Sequence, residues 1–259
     1  MFRCIILELI YYILILFYGL TFGSFYNVVG LRVPVKKSIV APRSSCPNCN
    51  HQLKALELIP VLSYIYQGGK CRQCKTAISP TYPLVELTTG LLFVSAPIVL
   101  GWTSELFVAW TLISLFMIIF VSDITYMLIP DKILVVFAGI FLMERIFIPL
   151  TPWWDSLLGA GIGFTLLLII AVVSKGGMGG GDIKLFALVG FVVGTKTLLL
   201  SFFLSTLFGA VFGIIGLAFK IVKKGNPIPF GPFIALGTLT AYYFYEEIIS
   251  IYLQFLTGI

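Results

Sequence analysis

Apolar residues run through this chain in long windows, and polar or charged residues are confined mostly to the short stretches between them. A helix that crosses a hydrocarbon core about 30 Å thick takes roughly 20 residues. Windows near that length fall at Ile5–Val29, Leu84–Leu100, Leu106–Ser122, Ile133–Ile148, Ser156–Val173, Asp182–Gly194, Thr197–Phe219 and Phe230–Leu253. They predict an all-α integral membrane protein with about eight transmembrane helices. The sixth window is short, reaching only about 20 Å at 1.5 Å per residue. Reading it as re-entrant would carry the lysines that follow to the other face, so a crossing that begins below the membrane surface is expected. One sizeable polar segment, Arg32–Pro83, lies between the first and second spans. The expected organisation is a first span in residues 1–31, a small polar domain over 32–83 and a polytopic membrane domain over 84–259.

Composition agrees with this reading. The 259 residues are 59% hydrophobic and 11% charged, with a mean hydropathy of +1.06, well outside the range of soluble domains. A net charge of +6 would suit nucleic acid only if the basic residues clustered on one folded face. They lie in short loops instead, so no nucleic-acid partner is expected. With Arg32–Pro83 in the cytosol, alternation puts Lys132, Lys175, Lys184 and the Lys220/Lys223/Lys224 cluster on the same side and leaves Arg3, Arg145 and Lys196 outside. That asymmetry is the positive-inside pattern. Trp102, Trp153 and Trp154 then fall at the outer boundary, and both termini are outside. The first apolar stretch outruns a signal peptide and no small-residue cleavage site follows, so it reads as a retained span.

Four of the five cysteines form two pairs, Cys46/Cys49 and Cys71/Cys74, with twenty-one residues between the pairs; Cys4 stands alone in the first apolar run. This is close to the spacing of a two-knuckle zinc site, in which four thiolates close a tetrahedral shell and leave no open catalytic position. Such a centre would stabilise a segment too small to build much of a core. In an oxidising compartment the same residues would read as two disulfides. His51 is a further candidate donor, but with four cysteines available it reads as a surface histidine.

Two aspartates carry the candidate chemistry. Asp123 ends an apolar run in VSDITYMLIPD, and Asp182 follows the glycine-rich SKGGMGGG. Carboxylates at membrane depth are rare and usually face a cavity. Gly176, Gly177, Gly179, Gly180 and Gly181 permit irregular backbone, which is tolerated at depth only where protein or water satisfies its polar groups. Asp182 also fits as the N-cap of the helix beginning IKLF, and Asp131, after Pro130, reads as a helix start. If Asp123 and Asp182 converge, an ionised member can activate water while a protonated member polarises a scissile carbonyl. Lys184 is read as snorkelling to the surface. Paired acids and broken helices also fit a proton-coupled carrier, against which the cysteine segment and the lack of internal repeats both count.

Several motifs then occur in one order: GSFYNVVGLRVP (Gly23–Pro34), CPNC, LIPVLSYIYQGGKCRQC, YPLVE, DITYMLIPD, GMGGGDIKLF and PFGPF. Through them the chain resembles the type IV prepilin peptidases over nearly its whole length. The resemblance implies a GxGD-type aspartyl endopeptidase in which Asp123 and Asp182 are catalytic and Gly179, Gly180 and Gly181 form the supporting loop. It implies prepilin or pseudopilin substrates, held in the lipid bilayer of a prokaryotic cytoplasmic membrane and cut at its cytosolic boundary. It further implies methylation of the new N-terminus with S-adenosylmethionine, a role associated with the N-terminal part, where Gly23, Ser24, Asn27, Arg32 and Glu86 match the motifs. Those residues also have structural readings, as helix-packing small residues, an interfacial anchor and a solvated carboxylate. The chain has no glycine-rich strand–helix nucleotide fingerprint, and a peptidase without methyl transfer remains the alternative. Glu57 stands where the family more often has aspartate, and the charge is kept.

Overall fold

The computed structural model describes residues 2–175, 177–220 and 228–257, with side chains from residue 6 onwards. Gly176, Lys223, Lys224 and the side chains of Arg3 and Cys4 lie outside that set. The helices are α1 (Phe2–Arg32), α2 (Leu62–Tyr66), α3 (Thr81–Leu100), α4 (Glu105–Tyr126), α5 (Asp131–Phe147), α6 (Asp155–Val173), α7 (Gly180–Ala218) and α8 (Gly231–Thr257). The only pairings of β type among the described residues are two isolated bridges in the polar segment. Each apolar window of the sequence is helical apart from single terminal residues. Five helices, α1, α3, α4, α6 and α7, are long and apolar enough to cross a membrane. α5, at 17 residues, and α8, with Glu246 and Glu247 in its second half, fall outside that group. α4 is the most enclosed of them, with 72% of its apolar window buried against 11% for α1.

The chain divides into two compact units, Met1–Val121 and Ser122–Ile259, with the boundary inside α4. In the first unit α1 lies against α3 at backbone contact distance. A Cβ at Gly19 would come within 2.8 Å of the Gly90 Cα, and one at Gly23 within 2.7 Å of the Glu86 Cα. Gly19 and Gly23, four residues apart on one face, are the small-residue spacing that lets membrane helices approach closely. The rest of this unit's core is mainly aliphatic, from Leu106 to Val121 of α4, with an aromatic contact beside it: Phe93 stacks on Trp110 at 6.1 Å, and the Trp110 indole N–H donates to the Phe93 carbonyl.

In the second unit α6 meets α7 in the same manner, with Gly159 against the Gly190 carbonyl and Gly163 against the Phe186 carbonyl. The two windows expected at Asp182–Gly194 and Thr197–Phe219 join in α7, which breaks at Gly194 (φ 77°, ψ 173°). The break reverses the chain. Phe186 and Phe202 have ring centroids 6.0 Å apart, whereas a continuous helix would separate them by about 24 Å. α7 is therefore a helical hairpin. Asp155 accepts from the Thr195 N–H at 3.1 Å, satisfying the start of the second arm, and Arg145 donates to the carbonyls of Val192 and Ile148. Arg145 is buried at 6% exposure, its long stem letting the guanidinium cap helix ends. α8 packs on the second arm through Gly237, where a Cβ would meet the Ser205 hydroxyl.

Candidate active site and metal centre

Asp123 lies in the last turn of α4. The helix stops because Met127 turns left-handed (φ 51°) and its N–H returns to the Asp123 carbonyl at 2.8 Å, a left-handed C-terminal cap of the kind glycine more often provides. The chain then runs extended to Pro130 and enters α5 at Asp131. The Asp123 side chain is 5% exposed, and its Oδ2 accepts from the Gly231 N–H at 2.8 Å. Gly231 is the first residue of α8, so the carboxylate sits where a helix N-terminus offers unpaired N–H groups and partial positive charge. Pro232 follows, in the one part of a helix where a missing N–H costs nothing. PFGPF thus receives Asp123, a role that sequence reasoning noted as a family motif without assigning to a site.

Asp182 enters from α7, which begins at Gly180 with Gly179 as its N-cap. Asp182 is therefore the third helical residue and not the N-cap. Its carboxylate reaches back to the Gly179 backbone N–H, as an acidic residue does at that position of a capping box. The glycines differ in what they permit. A Cβ at Gly179 would lie 2.9 Å from Asp182 Oδ2, and one at Gly181 2.8 Å from the Ile129 Cβ, while Gly180 has open space around it. Gly179 leaves room for the Asp182 carboxylate, and Gly181 lets the helix start close to the loop that follows Asp123. Asp182 is half-buried, and it lies close enough to Asp123 for the two charges to interact. The Lys184 Nζ lies 2.8 Å from each Asp131 carboxylate oxygen, and both side chains are exposed.

In the polar segment two near-identical hairpin turns carry the cysteines. In the first, Cys46 N–H donates to the His51 carbonyl and Asn50 N–H to the Cys46 carbonyl; in the second, Cys71 pairs with Thr76 and Lys75 in the same pattern. Asn50 (φ 56°) and Lys75 (φ 59°) take equivalent left-handed positions. The sulfurs of Cys46, Cys49, Cys71 and Cys74 all lie within 4.8 Å of one another, with Cys46–Cys74 at 3.7 Å and Cys49–Cys71 at 3.9 Å. Four sulfurs about 2.3 Å from a tetrahedral zinc stand about 3.8 Å apart, so the donor set fits. The Cys49 and Asn48 backbone amides hold the Cys46 thiol below its usual value, and the Thr76 hydroxyl and backbone amide bring Cys74 to about 5, whereas Cys49, against the pull of the His51 backbone amide, is pushed up to about 12 by burial and the neighbouring thiols. The His51 ring engages Glu57, at 3.2 Å. Glu57 is buried, and the Lys54 N–H, then His51, hold its carboxyl below the usual range.

The residues matched to methyl transfer gather between α1 and α3. The Glu86 carboxylate, 8% exposed, accepts from the Val61 N–H at 2.7 Å and from Ser24. The Asn27 side-chain amide donates to the carbonyls of Gly23 and Tyr82, both at 3.2 Å. Arg32 donates to the Ser38 carbonyl on a more exposed surface. Glu86 is therefore a buried, hydrogen-bonded group and not a solvated one. Several of the cluster's polar groups are engaged with one another and with backbone, and the space beside Gly23 is filled by Glu86 and Thr89, so α1 and α3 are closely packed here.

Comparison with known proteins matches the same two regions. Residues 17–100 match the bacterial peptidase A24 N-terminal domain, and residues 110–214 match the type IV leader peptidase family. A prepilin leader peptidase/N-methyltransferase of Bacillus subtilis is 47% identical over 241 residues, which cover 93% of this chain and 97% of that protein. Proteins of the same description from Stutzerimonas stutzeri and Pseudomonas aeruginosa are each 35% identical over 269 residues, covering 92% of this chain and 92% and 91% of those proteins. No solved structure matches. With its aspartates, glycines and cysteine pairs lying inside the matched regions, the chain belongs to the type IV leader peptidase family.

Proposed function

We propose that this protein is a membrane aspartyl endopeptidase that removes the short basic leader of type IV prepilins or pseudopilins, and then methylates the new N-terminal amine. The convergence of Asp123 and Asp182, one fixed by the N-terminus of α8 and the other by the start of α7, carries the reading, and the relatives' shared description supports it. The Gly231 N–H engages one oxygen of Asp123 and the Gly179 N–H engages Asp182, leaving the remaining acceptor positions for water and substrate. Two carboxylates that share a site titrate as a unit, and the reaction needs one of them ionised and the other protonated. The ionised member draws a proton from water as it attacks, and the protonated member gives its proton to the carbonyl oxygen; on collapse the first passes the water-derived proton to the leaving amine and the second recovers its proton from the gem-diol hydroxyl. No covalent intermediate is required. Gly179 and Gly181 support the site by letting backbone and loop approach; Gly180 joins them at the helix start.

The charge pattern supports eight crossings, counting α5, α8 and both arms of α7, with the polar segment and the aspartates towards the cytosol and both termini outside. Three regions follow: a first span in residues 1–31, the cysteine domain over 32–83 and the peptidase domain over 84–259. Cys46, Cys49, Cys71 and Cys74 would hold a structural zinc ion, which supplies a cross-link and no open coordination position. Methyl transfer draws on S-adenosylmethionine, and Gly23, Ser24, Asn27, Arg32 and Glu86 contribute by binding or positioning.

Mass spectrometry of a purified prepilin, incubated with the detergent-solubilised protein with and without S-adenosylmethionine, tests both activities. Leader loss is expected in both samples, and a methyl group on the new N-terminus only in the first. An intact leader would refute the peptidase; a processed but unmethylated product in both would refute the transferase.

A further inference from the structure

Residues 57–64 meet three other parts of the first unit within eight positions. Glu57 is tied to the first cysteine turn through His51 and to the Lys54 N–H at 2.8 Å. Val61 gives its N–H to Glu86 of α3. Tyr64, in α2, donates to the Ile78 carbonyl and covers Gly69, where a Cβ would lie 2.9 Å from its hydroxyl, so it braces the second cysteine turn. Val61 itself is strained. Its φ of 60° and ψ of −51°, with the Leu62 N–H directed to the Pro60 carbonyl, make a γ-turn of the rarer hand, and positive φ is an outlier for a β-branched residue. Strain of this kind persists only where the surroundings over-determine it. Here they do: both cysteine turns hold the strap, and the strap presents one N–H to a buried carboxylate.

We propose that residues 57–64 couple metal occupancy at the four cysteines to the Ser24–Glu86 junction, with Val61 and Glu86 as positioning residues. The proposal rests on reading the cysteines as a zinc site. With metal bound, both turns are fixed and Val61 is held in its strained conformation against Glu86. When the metal leaves, the turns loosen, Val61 relaxes and Glu86 loses a charge-assisted hydrogen bond. Coupling between two sites is reciprocal, so disrupting Glu86 on a membrane helix must also weaken metal retention in the polar segment.

The test is zinc transfer from the purified full chain to a chromophoric chelator. Glu86→Ala should release zinc faster by on the order of tenfold, whereas Glu86→Gln, which keeps an acceptor oxygen for the Val61 N–H, should stay within about twofold of the parent. Release from Glu86→Ala at the parent rate would overturn the proposal. A second measurement needs no variant. Stripping zinc from the parent protein should increase hydrogen exchange at residues 61–66 while α3 stays protected, and unchanged exchange there would equally overturn it. A parent protein that binds no zinc would refute the metal site and the coupling together, whereas a zinc-loaded parent indifferent to Glu86 would refute the coupling alone.

Discussion

The four-cysteine centre and the aspartate pair are assembled in opposite ways. The cysteines come from two short hairpins that repeat one hydrogen-bond pattern, so their geometry is written in local spacing and the metal supplies what a core would otherwise supply. The aspartate site draws on the end of α4, the loop to α5, the start of α7 and the start of α8, parts of the chain separated by up to 108 positions. Its geometry depends on helix packing that a single local interval does not contain. A local centre should therefore fail by losing its metal, and a dispersed one by losing register.

The largest effect is expected at the carboxylates. Asp123→Asn or Asp182→Asn should each reduce leader removal by on the order of 10²–10⁴-fold, measured as initial rate on a prepilin, with helical content and thermal unfolding close to the parent. Next comes the local centre. Cys46→Ser should abolish stoichiometric zinc, read by metal analysis, while leaving the far-ultraviolet signal of the membrane helices. Its pH response has a definite sign. The Cys74 thiol is held at about 5 against an ordinary 9.0, so the thiolate's stabilisation is complete above about 9 and is lost as pH falls through about 5. Zinc affinity from chelator competition should fall with acidification, and a rise would contradict the assignment.

Smaller effects separate steric register from charge. Gly181→Ala pushes a Cβ to 2.8 Å from the Ile129 Cβ and should slow cleavage about tenfold, a loss of about 1.4 kcal/mol in transition-state stabilisation. Adding Ile129→Ala should restore part of it, and Gly180→Ala should be close to neutral. Lys184→Ala removes only an exposed ion pair and should cost less than about 1 kcal/mol in thermal unfolding.

The same contrast explains what was legible in the sequence. The apolar windows anticipate the helices because twenty apolar residues in a row have few alternatives, and the cysteine interval anticipates the sulfur cluster. The hairpin at Gly194 was readable as two windows, yet the capping of its turn by Asp155 and Arg145 was not, since those partners lie on other helices. Asp182 looked like an N-cap because a helix does begin there; two preceding glycines take the first positions, and the carboxylate returns from the third. The ion pair of Lys184 was not legible, because Asp131, its partner, is fifty-three positions away. The contact of Asp123 with Gly231 belongs to the same class. Local signals reveal which residues are unusual, and packing decides whom they meet.

The measurement closest to the central claim is a comparison of cleavage rates for Asp123→Asn, Asp182→Asn and the double variant on one prepilin. If the two carboxylates act as one unit, each single change removes the whole device, and all three proteins should fall to the same residual rate. Substantial cleavage by either single variant, or a double variant slower by the product of two partial losses, would mean that the carboxylates do not work as a pair.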